Sequence, residues 1–437
     1  MQRKPELKWM DVNRESWFSG PVMSRCKTRK QEFIMLWKIC WFVLVTLFCP
    51  LPAELFVLAD EPTASEPEGW RNVKHFGALG DSKADDTDAI QRAIDIAKAK
   101  GGTIYLPPGT YRVRSLNLTH CGGIVLRGAG AGYRGSTLQA TESGVNVLDL
   151  TGSYHFNLEN FWISTTSENV VPRTAILMAQ VSGGPSNAFH FENLFVTGHF
   201  SLATVYDFGC PSSDMLNCDF YNFYPGGEAV VMAFTRNNYA GVTSAFTEVD
   251  KPSQEKGYLN TSDWTLTACE LHDLSTQRNK GQRSKLTALR LDQTMQMRWV
   301  GGNISGEGDK LIHFTGHNHH ITFVGTTLYS EVGFAVGSIF HNSGRLDGFS
   351  VNECQLQAAI AVFSGDPNAV FDEIHFHSKP TSSMPGNAWL LKCQGGKLRN
   401  SIIHCDGLGL EAESIETTLL INPGQIIATS DSSMKVK

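Results

Sequence analysis

Two glutamates stand at matching places in this 437-residue chain, and their spacing is the first chemical clue. Glu307 and Glu331 each fall three residues after the last apolar member of a recurring pattern. If those patterns are stacked strands, the two backbones lie about 5 Å apart. A carboxylate pair at that spacing is what glycosidic hydrolysis uses, one as acid and one as base or nucleophile. Their repulsion would raise one pKa and create the acid. The plain alternative is two solvated turn glutamates beside Gly306, Gly308 and Gly333. Glu270 and His272 flank apolar Leu271, so both point to one face, and His272 is a base suited to neutral pH. Trp162, Phe195 and Phe220 read as one line of rings with Tyr329 further along. Exposed, they would stack on sugars; under a covering loop, they would not. Residues 278–298 hold Arg278, Lys280, Arg283, Lys285, Arg290 and Arg298 against Asp292 alone. With Arg298 on an outward strand, this stretch could receive carboxylates or sulfates, or be a solvated loop. His317, His319 and His320 lack a carboxylate or Cys at ligand spacing, so they read as a polar turn and no metal is assigned.

These side chains need a scaffold, and the sequence supplies a repeat. An apolar–any–apolar triplet, followed by a further apolar residue, recurs from Phe156-x-Leu158 to Phe349-x-Val351. Its middle residues are Leu158, Phe191, Leu216, Leu266, Trp299, Phe323 and Val351. The steps between them are 33, 25, 50, 33, 24 and 28 residues. Period-2 apolar pairs repeating at such intervals predict a β-solenoid. The 50-residue step predicts a hidden coil near Val242–Phe246. Two residues past the first six middle positions come Asn160, Asn193, Cys218, Ala268, Gly301 and Gly325. Small and amide residues there suit a tight stacked turn. After Phe376 the pattern fades, and residues 380–437 read as a distal coil or cap with a C-terminal tail.

Ahead of the repeat, residues 72–113 open with a helix. Asp85, Asp86, Thr87 and Asp88 are its capping and first-turn residues, and Ile90, Ala93, Ile94 and Ala97 form its apolar stripe. Gly101-Gly102 stop it, and Pro107-Pro108-Gly109 turn between two strands. Phe76-Gly77-Ala78, Gly80-Asp81, Asp85-Asp86-Thr87, Ala89-Ile90-Gln91, Gly101-Gly102 and Leu106–Tyr111 carry a resemblance. They are similar to the start of the pectate-lyase-like right-handed β-helix superfamily, in its rhamnogalacturonase and epimerase-like branch. The resemblance implies an all-β fold, a right-handed parallel β-helix (single-stranded solenoid) with an N-terminal capping α-helix. It also implies a lyase or glycoside hydrolase acting on an acidic, pectin-like polysaccharide. In such proteins the acidic cluster of the first helix is structural, as capping physics also says. The family's hydrolase patterns (Asn-Thr-Asp, Asp-Asp, Gly-His-Gly, Arg-Ile-Lys) are absent here, so no mechanism carries over residue by residue. Catalysis is therefore expected from Glu307, Glu331, Glu270 and His272, and substrate binding from Arg298, Tyr329 and Trp162. A lyase would add a base and a neutralising cation such as calcium. The rival is a non-catalytic glycan-binding or cell-surface scaffold.

Charge and composition narrow the rest. The formal net charge is −6, yet residues 1–59 hold 9 of 37 basic and only 5 of 43 acidic residues. The remainder is more acidic still, which argues against a nucleic-acid partner. Ile39–Phe48 is an uncharged apolar run behind Lys38 and a basic lead, with Val57 and Ala59 before an exit. This reads as a secretory signal in a 1–59 leader, or as an uncleaved N-terminal anchor, on a secreted, periplasmic or cell-surface protein. Residues 60–69 read as a linker and 70–379 as the β-helix. Seven cysteines follow the leader at uneven spacing, which favours buried thiols over a disulfide framework. A side face of such a solenoid could also form a homotrimer.

Overall fold

The repeated apolar pairs become parallel strands stacked rung upon rung. The computed structural model describes residues 67, 69–181, 186–225, 229–235, 261–274, 287–330, 336–357, 359–380, 388–428 and 435–437. They lie in one unit, Pro67–Lys437. The leader, with its signal or anchor, lies outside the described residues, as does most of the linker. Every strand pairing is parallel, so the chain must travel around a coil between partners. Three main ladders of strands run along the coil.

The first ladder contains Tyr154–Glu159, His190–Glu192, Ser213–Leu216, Trp264–Thr267, Met295–Val300, His317–Val324 and Ser350–Leu356. Leu158, Phe191, Met215, Leu266, Trp299, Phe323 and Val351 align along it, all buried. Each contributes about 1.5–3 kcal/mol by leaving water. The third rung corrects the expected frame. Met215 is the inward residue, while Leu216 is 39% exposed. Ser213–Leu216 also pairs directly with Trp264–Thr267, so the long step holds no hidden rung. The stretch expected to supply one lies outside the described residues.

Each rung then turns sharply into the second ladder. Asn160, Asn193, Asn217 and Ala268 all adopt positive φ there, followed by Gly301 and Gly325. Left-handed backbone favours Asn and Gly, which explains the small and amide residues at this column. Asn217, rather than Cys218, holds the third place. The Asn193 amide donates to Asn160 Oδ1 at 3.0 Å, and Asn217 donates to Asn193 Oδ1 at 2.7 Å.

The second ladder is Trp162–Thr165, Phe195–Gly198, Asp219–Asn222, Glu270–Asp273, Asn303–Gly306 and Thr327–Ser330. Ile163, Val196, Phe220, Leu271, Ile304 and Leu328 fill its inner side. Phe220 is thus a core residue, and Asp219 takes its expected place in the outer column. The third ladder comprises Thr174–Ala179, Ala203–Phe208, Val230–Thr235, Thr287–Asp292, Lys310–Thr315, Val336–Asn342, Ala359–Gly365 and Trp389–Arg399.

Thr87–Lys100 is the α-helix of the described residues, and its Ile90, Ala93, Ile94 and Ala97 are buried against the first strands. Asp86 accepts hydrogen bonds from the Leu79 and Gly80 amides at 2.6 and 3.1 Å, and Arg114 pairs with Asp85 and Asp88. Asp86 thus stands at the N-cap but binds the preceding loop, with no side-chain bond to the helix itself. No described helix is long and apolar enough to cross a membrane. All seven described cysteines are buried and unbridged. Pairing continues past residue 380, through Ile402–His404 and Leu419–Ile421 to Lys435–Val436.

Candidate active site

Strand alternation sends every second residue of the second ladder outward. One outward column reads Trp162, Phe195, Asp219, Glu270, Asn303 and Thr327; the other reads Ser164, Thr197, Tyr221, His272, Ser305 and Tyr329. Glu270 and His272 do come together: His272 Nε2 lies 3.1 Å from Glu270 Oε2. The other ring nitrogen, Nδ1, is 2.8 Å from Ser305 Oγ, and the ring stacks on Tyr221 at 4.3 Å. With 6% exposure and both nitrogens engaged, His272 is held as part of the wall. Asp219, on the rung beside Glu270, was not singled out from sequence. Burial and then the Glu270 charge raise its carboxyl above the ordinary range. Asp219 and Glu270 are thus carboxylates on adjacent rungs.

Trp162 is three rungs from Glu270, and Tyr329 two rungs from His272. Trp162 leans on Phe195, with the 97%-exposed Tyr133 edge-on against it. Arg298 faces outward from the first ladder, paired beside Thr265 and Thr322, and does not join this group. Glu307 is 1% exposed beside Asp273, its amide 3.5 Å from Asp273 Oδ2. Glu331 lies outside the described residues, as do Arg278, Lys280, Arg283 and Lys285.

The third ladder holds a cluster the sequence reading missed. Its outward column begins apolar, with Leu177, Tyr206 and Ala233, then continues as Arg290, His313, His341, Ser364 and Lys392. Core residues Ile312, Phe314 and Phe340 flank the histidines and fix their direction. The histidine rings are 5.2 Å apart. His313 Nε2 is 2.8 Å from Ser343 Oγ, and His341 lies 2.7 Å from Ser364 Oγ and 3.2 Å from Asp366 Oδ1. Lys310 starts the same strand as His313.

Burial and the two cations Arg290 and Lys310 act against protonation of the histidines in this column. Burial, then Lys310, His341 and Arg290, push His313 down to about 3. Burial and Lys310 also lower His341. Burial and then Arg290 lower Lys310, although Asp366 and Asp309 push it back. Burial would raise Asp366, but the Ser343 hydroxyl, His341 and Lys310 outweigh it and hold the carboxyl below its usual range. Perturbed groups concentrated in this way mark functional sites more often than ordinary surfaces. A signal did exist: Leu289-Arg290-Leu291, Ile312-His313-Phe314 and Phe340-His341 place a basic residue after an apolar one at steps of 23 and 28 residues.

Residues 70–167 match the family described as rhamnogalacturonase A/epimerase, pectate lyase-like. The matched segment includes Trp162 but ends before Asp219, Glu270 and the whole basic column. Alginate lyase 7 of Azotobacter vinelandii is 54% identical over 68 residues, 14% of this chain and 8% of that protein. Mannuronan C5-epimerase AlgE4 of the same organism is 52% identical over 68 residues, 14% of this chain and 12% of its own length. The AlgE4 A-module structure superposes over 84% of this chain and 100% of that module, with TM-score 0.53 and 16% identity. The Agl-KA catalytic domain does so over 85% of this chain and 69% of its own, with TM-score 0.54 and 10% identity. At such identities the structural likeness speaks for the solenoid fold.

A calcium ion would need several oxygen ligands. Among the described residues, no three acidic, His or Cys side chains come together to hold a metal.

Proposed function

We propose that this chain is an exported enzyme acting on an acidic polysaccharide at the basic column of the third ladder. The carrying observation is that Arg290, His313 and His341 stack on successive rungs, with Lys310 beside them and Asp366 as the nearby carboxylate. The two cations, Arg290 and Lys310, repel each other and keep His313 and His341 unprotonated, and an anionic ligand would relieve that repulsion. The match to an alginate lyase supports a uronate polymer. In this reading Arg290 faces the uronate carboxyl, and its charge stabilises the carbanion formed beside that carboxyl. Lys310, lowered by burial and by Arg290, takes the adjacent ring proton. The C–O bond to the glycosidic oxygen on the neighbouring ring carbon then breaks as the carbon–carbon double bond forms, and the departing oxygen takes a proton from protonated Lys310 or from water, which makes the enzyme a lyase. The scaffold in this reading is a right-handed β-helix capped by the Thr87–Lys100 helix.

A second reading rests on Asp219 and Glu270. Backbones on adjacent rungs lie about 4.8 Å apart, close to the roughly 5–5.5 Å carboxyl separation of retaining glycosidases. Asp219, its pKa raised, would be the acid and Glu270 the nucleophile.

The full chain is incubated with polyuronates and neutral glycans in deuterated buffer. Unsaturated-uronate absorbance, new reducing ends and deuterium in the polymer are followed. Absorbance rising with ends supports the lyase. Ends without absorbance move the assignment to Asp219 and Glu270. Deuterium without cleavage keeps Lys310 as base but assigns epimerisation. Binding without any of these leaves a glycan-binding scaffold.

A further inference from the structure

We propose that Ser364, His341 and Asp366 form an acyl-transfer site that removes ester groups from the polysaccharide bound beside it. The three side chains make a continuous hydrogen-bond chain. Asp366 Oδ1 is 3.2 Å from His341 Nε2, and His341 Nδ1 is 2.7 Å from Ser364 Oγ. Asp366 is kept ionised by Ser343, His341 and Lys310 against its burial, and a carboxylate only accepts. The imidazole therefore carries its proton on Nε2 and presents the Nδ1 lone pair to the Ser364 hydroxyl. Burial and Lys310 hold His341 below the ordinary histidine range, so this lone pair is available at neutral pH. A nucleophile, a base within hydrogen-bond reach and a third group orienting that base are what hydroxyl activation requires.

Position adds a second argument. The same arrangement occurs at Ser305, His272 and Glu270, with 2.8 and 3.1 Å separations. There the serine is fully buried and no acyl group reaches it. Ser364 is half-buried, in an outward column that continues to Lys392 and Glu411. Lys392 is paired directly beside it on the next rung and exposed, placing a positive charge next to any oxyanion formed at Ser364.

The chemistry balances without a cofactor. Ser364 Oγ bonds to the acyl carbon as its proton passes to His341 Nδ1. The ester C–O bond breaks, and the sugar oxygen leaves with that proton. Water then attacks the acyl carbon and gives its proton to Nδ1. The Oγ–C bond breaks, Oγ regains the proton, and the carboxylic acid departs. The substrate assignment, an O-acylated acidic polysaccharide, rests on the function proposed for the basic column. The serine chemistry does not, so small probes separate the two.

The full chain is assayed with p-nitrophenyl acetate and treated with diethyl p-nitrophenyl phosphate, which phosphorylates activated serines. Hydrolysis should fall by at least ~10²-fold in Ser364→Ala and in Asp366→Asn, with thermal melting unchanged in Ser364→Ala. Mass spectrometry should place the diethylphosphoryl group on Ser364. Hydrolysis unchanged in Ser364→Ala, a label on another residue, or neither hydrolysis nor label in the parent overturns the proposal. Lyase activity on a de-esterified polyuronate, measured on the same preparation, reports on the basic column alone.

Discussion

His313 and His341 face each other from successive rungs, ring centroids 5.2 Å apart, and both resist protonation. The groups around them are Lys310, Arg290 and Asp366, two cations against one carboxylate. His313 takes a proton near 6.5 when unfolded and only near 3 when folded. The unfolded chain thus binds more protons between those values, so stability falls as pH drops from about 6.5 toward 3. His313→Gln removes this term. Melting temperature should decline less steeply between pH 6.5 and 4 in the variant than in the parent. Equal slopes would show that His313 is not the resisting group.

Lys310 carries the catalytic assignment. Lys310→Gln should lower kcat on the polyuronate by ~10²–10⁴-fold, the usual worth of a general base. Lys310→Arg keeps the charge but holds its proton, so it should restore binding and not turnover. Melting should be unchanged or slightly higher in Lys310→Gln, because a cation leaves a repulsive column. Turnover rescued by Arg would reassign Lys310 to electrostatic binding.

Period-2 patterning made the solenoid legible because each rung needs apolar residues such as Leu158 and Phe191 facing inward. The turn column was legible because positive φ at Asn160 and Asn193 favours particular residue types. A one-residue slip at Leu216 hid Asn217, since a shift of one exchanges the inner and outer sides of a strand. Stacking across 24 to 51 residues decides which outward side chains meet, and no local pattern encodes it. Asp219 reaches Glu270 only across the insertion between their rungs. The third ladder went unread because Arg290 looked like one member of a loop charge run, and because adjacent corner residues such as Leu311 and Ile312 are both buried, which blurs alternation.

Glu270 is the charge that raises Asp219 after burial. Glu270→Gln should therefore lower the Asp219 pKa, as followed by carbon NMR of labelled aspartate. If hydrolysis occurs at this pair, the variant should also lose it by ~10²-fold or more. An unmoved Asp219 titration would mean the two carboxyls do not sense each other.

Asp207 tests the interior of the coil. Its carboxyl is fully buried, 3.2 Å from Trp264 Nε1 and 3.0 Å from the Cys210 amide, and burial pushes it up to about 8 against these two donors. The folded protein thus keeps a proton that the unfolded chain gives up near 3.8. Stability is full below that value, declines as pH rises, and stops declining above about 8. The two donors use different oxygens of Asp207, so Asp207→Asn keeps an acceptor for one of them, while Trp264 Nε1 retains the Cys210 carbonyl, and the side chain cannot ionise. At pH 5 its melting temperature should be at or slightly below the parent's, since the amide brings an extra N–H to a buried place. At pH 9 it should be higher, because the parent then either ionises Asp207 in the core or holds its proton at a cost. Parallel melting curves from pH 5 to 9 would show that Asp207 is ionised in the native state and that water reaches it.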